Sequence, residues 1–125
     1  MRKIVARYRD GTILKGDSDD FSPDRQTFHL HVIDGEVVVI DINDLKAIFF
    51  VKDHEGNKDR KDKYKDARPW SGKRVRVVFS DGEEIIGYTS HHSFEQQGFF
   101  ITPADLENNN EDIFVITSAT RSIDF

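Results

Sequence analysis

Residues 3–34 read KIVARYRDGTILKGDSDDFSPDRQTFHLHVID, and residues 74–105 read RVRVVFSDGEEIIGYTSHHSFEQQGFFITPAD. The two stretches align without a gap at a constant offset of 71, with identities at Asp10/Asp81, Gly11/Gly82, Gly16/Gly87, Ser22/Ser93, Gln26/Gln97, Phe28/Phe99 and Asp34/Asp105. A tandem repeat sets the architecture before any single residue is interpreted, because each copy must build the same supersecondary unit.

Inside each copy the period is two. Ile4, Ala6 and Tyr8 alternate with Val5, Arg7 and Arg9, and the aligned Val75, Val77 and Phe79 alternate with Arg76, Val78 and Ser80. Such alternation predicts a strand with one buried face. Each strand runs into Asp-Gly, a strong hairpin signal because both residues tolerate positive φ. The following strand carries Leu14 or Ile85 inward and reaches Gly16 or Gly87, where a missing side chain permits the bend of a small barrel. Phe28, Leu30 and Val32, echoed by Phe99 and Ile101, predict a third strand and place phenylalanines at the centre of each core. Val37–Ile42 and Ile113–Thr117 supply a fourth. Ile48/Phe50 and Ile123/Phe125 supply a short fifth at an offset of 75, so the second copy holds about four extra loop residues.

The fold expected is therefore all-β, a tandem repeat of two small SH3-like or Sm-like five-stranded barrels. They span residues 1–53 and 73–125 and are joined by a basic linker, 54–72. The alternative is a single mixed β-sandwich built from all ten strands. A unit of roughly 50 residues is near the lower limit for an independent core, so the pair is expected to fold as one.

Composition agrees with a globular protein: 125 residues, 37% hydrophobic and 33% charged. With no cysteine, disulfides and thiolate chemistry are excluded. No stretch approaches membrane-spanning length and Arg7 interrupts the N-terminal apolar run, so no membrane association and a cytoplasmic location are expected. The net charge of −5 is uneven: residues 58–74 hold eight Lys/Arg against three Asp. A local basic segment in an acidic protein can make a few phosphate contacts without general affinity for polyanions.

The Asp-Gly-x4-Gly element, followed by Phe21 and then Phe28-His29-Leu30, resembles the first signature of the Sm and Sm-like RNA-binding proteins. The chain departs from that family where RNA would be held. Ser22 and Thr27 stand near the positions of its Asp and Asn, and its Arg/Lys-Gly signature is replaced by Lys46-Ala47 and Arg121-Ser122. The resemblance implies a fold and does not transfer a function. The hairpin and the segment Leu45-Lys46-Ala47-Ile48-Phe49-Phe50-Val51-Lys52-Asp53, followed by Glu55-Gly56, are also similar to a family of small bacterial proteins with no assigned activity. That likeness implies a bacterial origin. Some such chains are compared with PilZ-type cyclic-di-GMP receptors, but the arginine pair and Asp/Asn-x-Ser-x-x-Gly element of those receptors are missing here.

No nucleophile elbow, phosphate loop or paired carboxylates in a defined setting is legible, so no catalysis and no cofactor are expected. His29 and His31 share a strand face, and Asp17, Asp19, Asp20 and Asp24 crowd one loop. The histidine spacing can bind a metal edge-on but the sequence places no third ligand on that face, the Asp spacing lacks the glycine and terminal glutamate of an EF-hand, and both sets read as solvent-facing polar residues. The candidate binding residues are Lys58, Arg60, Lys61, Lys63, Tyr64, Lys65, Arg68, Trp70, Lys73 and Arg74. Cations interleaved with aromatics are the ingredients of single-strand recognition, and an indole beside a strand equally suits packing at a seam. Apolar residues at outward positions, namely Val5, Val37, Val39 and the candidate interface residues Phe49, Phe100 and Phe114, mark an inter-repeat or intersubunit surface. The leading functional reading is a binding or scaffold module with a protein partner, with a homo-oligomer expected from the same surface. The alternative is RNA or other nucleic-acid binding through the linker.

Overall fold

The computed structural model describes residues 2–52, 73–89, 97–103 and 110–125. The chain is all-β. The first repeat forms β1 (Arg2–Tyr8), β2 (Ile13–Ser18), β3 (Thr27–Val32), β4 (Val37–Asp41) and, after a 3-10 turn at Ile42–Asp44, β5 (Leu45–Val51). The second forms β6 (Lys73–Phe79), β7 (Glu84–Thr89), β8 (Gly98–Pro103), β9 (Asn110–Ile116) and, after a 3-10 turn at Thr117–Ala119, β10 (Thr120–Asp124). No helix among the described residues is long and apolar enough to cross a membrane.

Where the sequence predicts two small five-stranded barrels folding as a pair, the strands make one open antiparallel sheet in the order β10-β6-β7-β8-β9-β5-β1-β2-β3-β4. The repeats are its two halves, joined where β5 pairs with β9: Ala47 lies opposite Val115, Ile48 opposite Phe114 and Phe49 opposite Ile113. Both strands are apolar at consecutive positions, so they have no solvent face to offer. All seven residues of β5 are buried. Ile48 and Phe50 enter a first core with Ile4, Phe28, Leu30 and Ile40, while Ala47, Phe49 and Val51 enter a second with Val75, Val77, Phe79 and Phe99. β9 reciprocates: Phe114 and Ile116 fill the first core, Ile113 and Val115 the second. Each core is completed by the other repeat. The two cores therefore lie on opposite faces of the central pair, and the repeats share one sheet.

The Asp-Gly hairpins form at the expected places with a different turn. Tyr8 N–H donates to Thr12 O (2.8 Å) and Gly11 N–H to Tyr8 O (3.1 Å), a three-residue loop in which only Gly11 has positive φ (95°). Asp10 instead uses its carboxylate to accept from Thr12 N–H (2.8 Å). Phe79–Glu83 repeats the arrangement, with Asp81 accepting from Glu83 N–H at 2.9 Å. This is the loop in which a left-handed glycine forms a bulge, which suits strongly twisted strands. Gly16 and Gly87 stand where the second strand pairs with the third, opposite Val32 and Pro103. A Cβ on Gly16 would stand 2.2 Å from His31 O, and one on Gly87 2.4 Å from Thr102 O.

Candidate functional site

The packing that hides Phe50 and Phe114 leaves a groove along the line where the repeats meet. Its walls come from Arg2 at the start of β1, Ser18, Asp19, Phe21 and Pro23 at the end of β2 and beyond, Phe50 of β5 and Phe100 of β8. Its volume is about 540 Å³, within the range of sites that hold a small ligand or a few side chains. The floor is aromatic. Phe21 leans from its loop with its ring centroid 5.4 Å from Phe28, 5.5 Å from Phe50, 5.3 Å from Phe114 and 6.4 Å from Phe100. Phe100 lies 4.9 Å from Phe114 and is 38% exposed.

Charge frames this floor. The Arg2 guanidinium lies 3.8 Å from the Phe50 ring centre and 3.3 Å from Asp112 Oδ2, so a cation already stacked on an aromatic is held by a carboxylate of the other repeat. The loop carrying Phe21 is fixed from both sides. Gln97 Nε2 donates to Pro23 O (2.6 Å) and Arg25 O (2.9 Å). Asp20 accepts from His29 N–H (2.9 Å) and pairs with His29 Nδ1 (2.6 Å), while Ser18 Oγ donates to it (3.1 Å). Those bonds, the His29 side chain first, hold the Asp20 carboxyl down at about 2. The acidic loop read as merely solvated thus contains a clamp between Asp20 and a histidine read as merely exposed. Among the described residues no group of three or more His, Asp or Glu side chains is placed to hold a metal.

A smaller cleft lies between Arg9, Lys46, Phe79, Ser80, Asp81 and Ala119. Lys46, 7% exposed, reaches from β5 to the hairpin of the second repeat and meets Asp81 Oδ2 (2.7 Å) and Glu83. Arg7 joins them, 3.1 Å from Glu83 and 4.6 Å from the ring centre of Phe49. The Lys46 ammonium holds the Asp81 carboxyl below its usual range. Since these charges answer one another across the junction, the cleft is a clasp between repeats.

Of the candidate interface residues, Phe49 is buried in the second core, Phe114 in the first, and Phe100 lines the groove. Lys73 and Arg74 are exposed at the start of β6. Lys58, Arg60, Lys61, Lys63, Tyr64, Lys65, Arg68 and Trp70 lie outside the described residues. Sequence reading missed Arg2 and the groove roles of Phe21 and Phe50, because the groove exists only once β8 is laid beside the first repeat. Lys46 left one signal, a lone cation in the otherwise apolar run 45–51.

The model of a family of unknown function, DUF6982, matches residues 1–125. No curated protein and no solved structure matches the chain.

Proposed function

We propose that this chain, which belongs to DUF6982 from residue 1 to 125, is a non-catalytic binding module: two SH3-like units fused edge to edge, with the aromatic groove between them as its site. The observation that carries this reading is Phe100, 38% exposed over a floor of packed phenylalanine rings where both repeats contribute walls. An exposed aromatic on a rigid apolar floor, rimmed by Arg2 and Asp19, suits an apolar or aromatic side chain presented by a partner protein. Opposite charges at the rim supply orientation more than affinity.

The test places a photo-cross-linking phenylalanine analogue at position 100, with Ile13, 51% exposed, as the control position. A discrete protein adduct from cell lysate at 100 and not at 13, competed by excess wild type and not by Phe100→Asp, supports the reading. Equal labelling at both positions refutes it. Labelled single-stranded RNA at low and near-physiological salt reads the nucleic-acid alternative. Saturable, salt-sensitive binding unchanged by Phe100→Asp would move the site to the linker cations.

A further inference from the structure

The sheet has two ends. Among the described residues β4 pairs only with β3, and β10 only with β6. By the repeat, β4 is the counterpart of β9 and β10 the counterpart of β5, and each pair of counterparts flanks an equivalent 3-10 turn. The registers agree residue by residue: Phe28 opposite Ile40 and His29 opposite Val39 correspond to Phe99 opposite Val115 and Phe100 opposite Phe114. The two strand types that meet inside the chain, β5 with β9, are thus also the two types left at its ends.

We infer that a second copy of this chain docks there, β10 of one copy pairing antiparallel with β4 of the next in the register of the internal junction. Moving Ala47/Val115, Ile48/Phe114, Phe49/Ile113 and Phe50/Asp112 to their counterparts sets Ser122 opposite Ile40, Ile123 opposite Val39, Asp124 opposite Val38 and Phe125 opposite Val37. Burial supports that occupant. Val39 is 62% exposed where its counterpart Phe114 is 1%, and Phe125 is 59% exposed where its counterpart Phe50 is 2%. Edge strands of monomers are ordinarily protected by lysine, proline or a bulge. β4 reads Val-Val-Val-Ile-Asp, has none of these, and holds Val37 56% exposed as well.

Charge complementarity carries over too. The clasp pair Lys46–Asp81 corresponds to Arg121 of one copy and Asp10 of the next, both at the exposed surface. At four other positions a polar residue stands for a buried apolar one: Asp124 for Phe49, Ser122 for Ala47, Thr120 for Leu45 and, on β4, Asp41 for Ile116. The contact between copies is therefore weaker than the one within the chain. It is also heterologous, so copies add head to tail.

Two edge-blocked variants test this, both at exposed positions: Val37→Lys/Val39→Lys on β4, and Arg121→Glu/Phe125→Lys on β10. Mass is read by light scattering at about 0.1 mM, where even weak specific contacts are populated. The expected result is an assembly for the wild type, monomers for each variant alone, and a two-copy species when the variants are mixed, because one intact β4 and one intact β10 remain. A monomeric wild type overturns the inference. So does a variant pair in which only one edge matters, which would mean that like edges meet.

The chain has no cysteine of its own, so a second measurement stands apart from the folding of those variants. Val39→Cys protein mixed with Ile123→Cys protein should give a disulfide-linked heterodimer on mild oxidation, in excess over the 39–39 and 123–123 products. A statistical mixture of the three overturns the register.

Discussion

Phe49→Ala tests whether the two halves share one folding unit. Phe49 belongs to β5 of the first repeat, is 5% exposed, and packs in the second core beside Val75, Val77 and Phe99. Truncating a buried phenylalanine costs about 3–5 kcal/mol in lost transfer energy and residual cavity. The ring also carries the Arg7 guanidinium at 4.6 Å, a contact worth about 0.5–1 kcal/mol at a part-exposed site. A total of about 4 kcal/mol is a quarter or more of the stability of an ordinary domain, which is about 5–15 kcal/mol. The melting temperature should fall by more than about 10 °C. The assay is urea unfolding with hydrogen exchange read separately on β3 and β7. Both halves should lose the same free energy with one midpoint, although the substituted residue touches only one core. If β7 loses protection while β3 keeps it, or the loss is below about 1 kcal/mol, the reasoning from a shared central pair is wrong.

Three further outcomes are expected. Gly87→Ala sets a Cβ 2.4 Å from Thr102 O and 2.3 Å from the Ile101 side chain; because one neighbour is backbone, urea denaturation should show a loss of about 2–3 kcal/mol, at the upper end for overpacked sites. Lys46→Ala should cost about 1–2 kcal/mol, less than the roughly 3–5 kcal/mol of a fully buried pair, since Asp81 and Glu83 are 51% and 39% exposed and regain water; a double-mutant cycle with Glu83→Gln should recover a coupling, and strict additivity would disprove the clasp. Folding holds the Asp20 carboxyl at about 2, so its stabilisation is complete above about pH 4 and drains away as pH falls toward 2. Asp20→Asn should flatten the acid limb of stability against pH in that window; an acid limb unchanged by the substitution would disprove the clamp.

Local chemistry was legible in the sequence, and the pairing that matters most was not. The alternation of Ile4, Ala6 and Tyr8, the Asp-Gly turns and the bends at Gly16 and Gly87 are local and appear twice, so ten strands could be read directly. The β5–β9 pair depends on two segments far apart in the chain, and no local rule names a strand's second neighbour. It left one trace, in that residues 45–51 are apolar on both faces, which a half-exposed barrel strand cannot be. The misfit of Phe49, Phe100 and Phe114 with strict alternation has the same origin. The groove was hidden for a related reason: Phe21 sits in a polar loop whose path is set by Gln97 of the other repeat and by the Asp20–His29 bond, neither of which is local.

The reciprocal filling of the two cores also governs how the protein is made. On a ribosome, residues 2–52 are made before the second repeat and hold every strand of the first half, yet their core lacks Phe114, Ile116 and Ala119, which follow only with β9 and the turn after it. At a synthesis rate of about 5–20 residues per second the wait is on the order of several seconds. During it Phe28, Leu30 and Phe50 have no lid and β5 is an apolar strand with an open edge, the species that nascent-chain chaperones hold. Folding then awaits a pairing between distant segments, the slow kind. A premature stop that spares the entire first repeat should therefore yield an insoluble fragment in place of a small working domain.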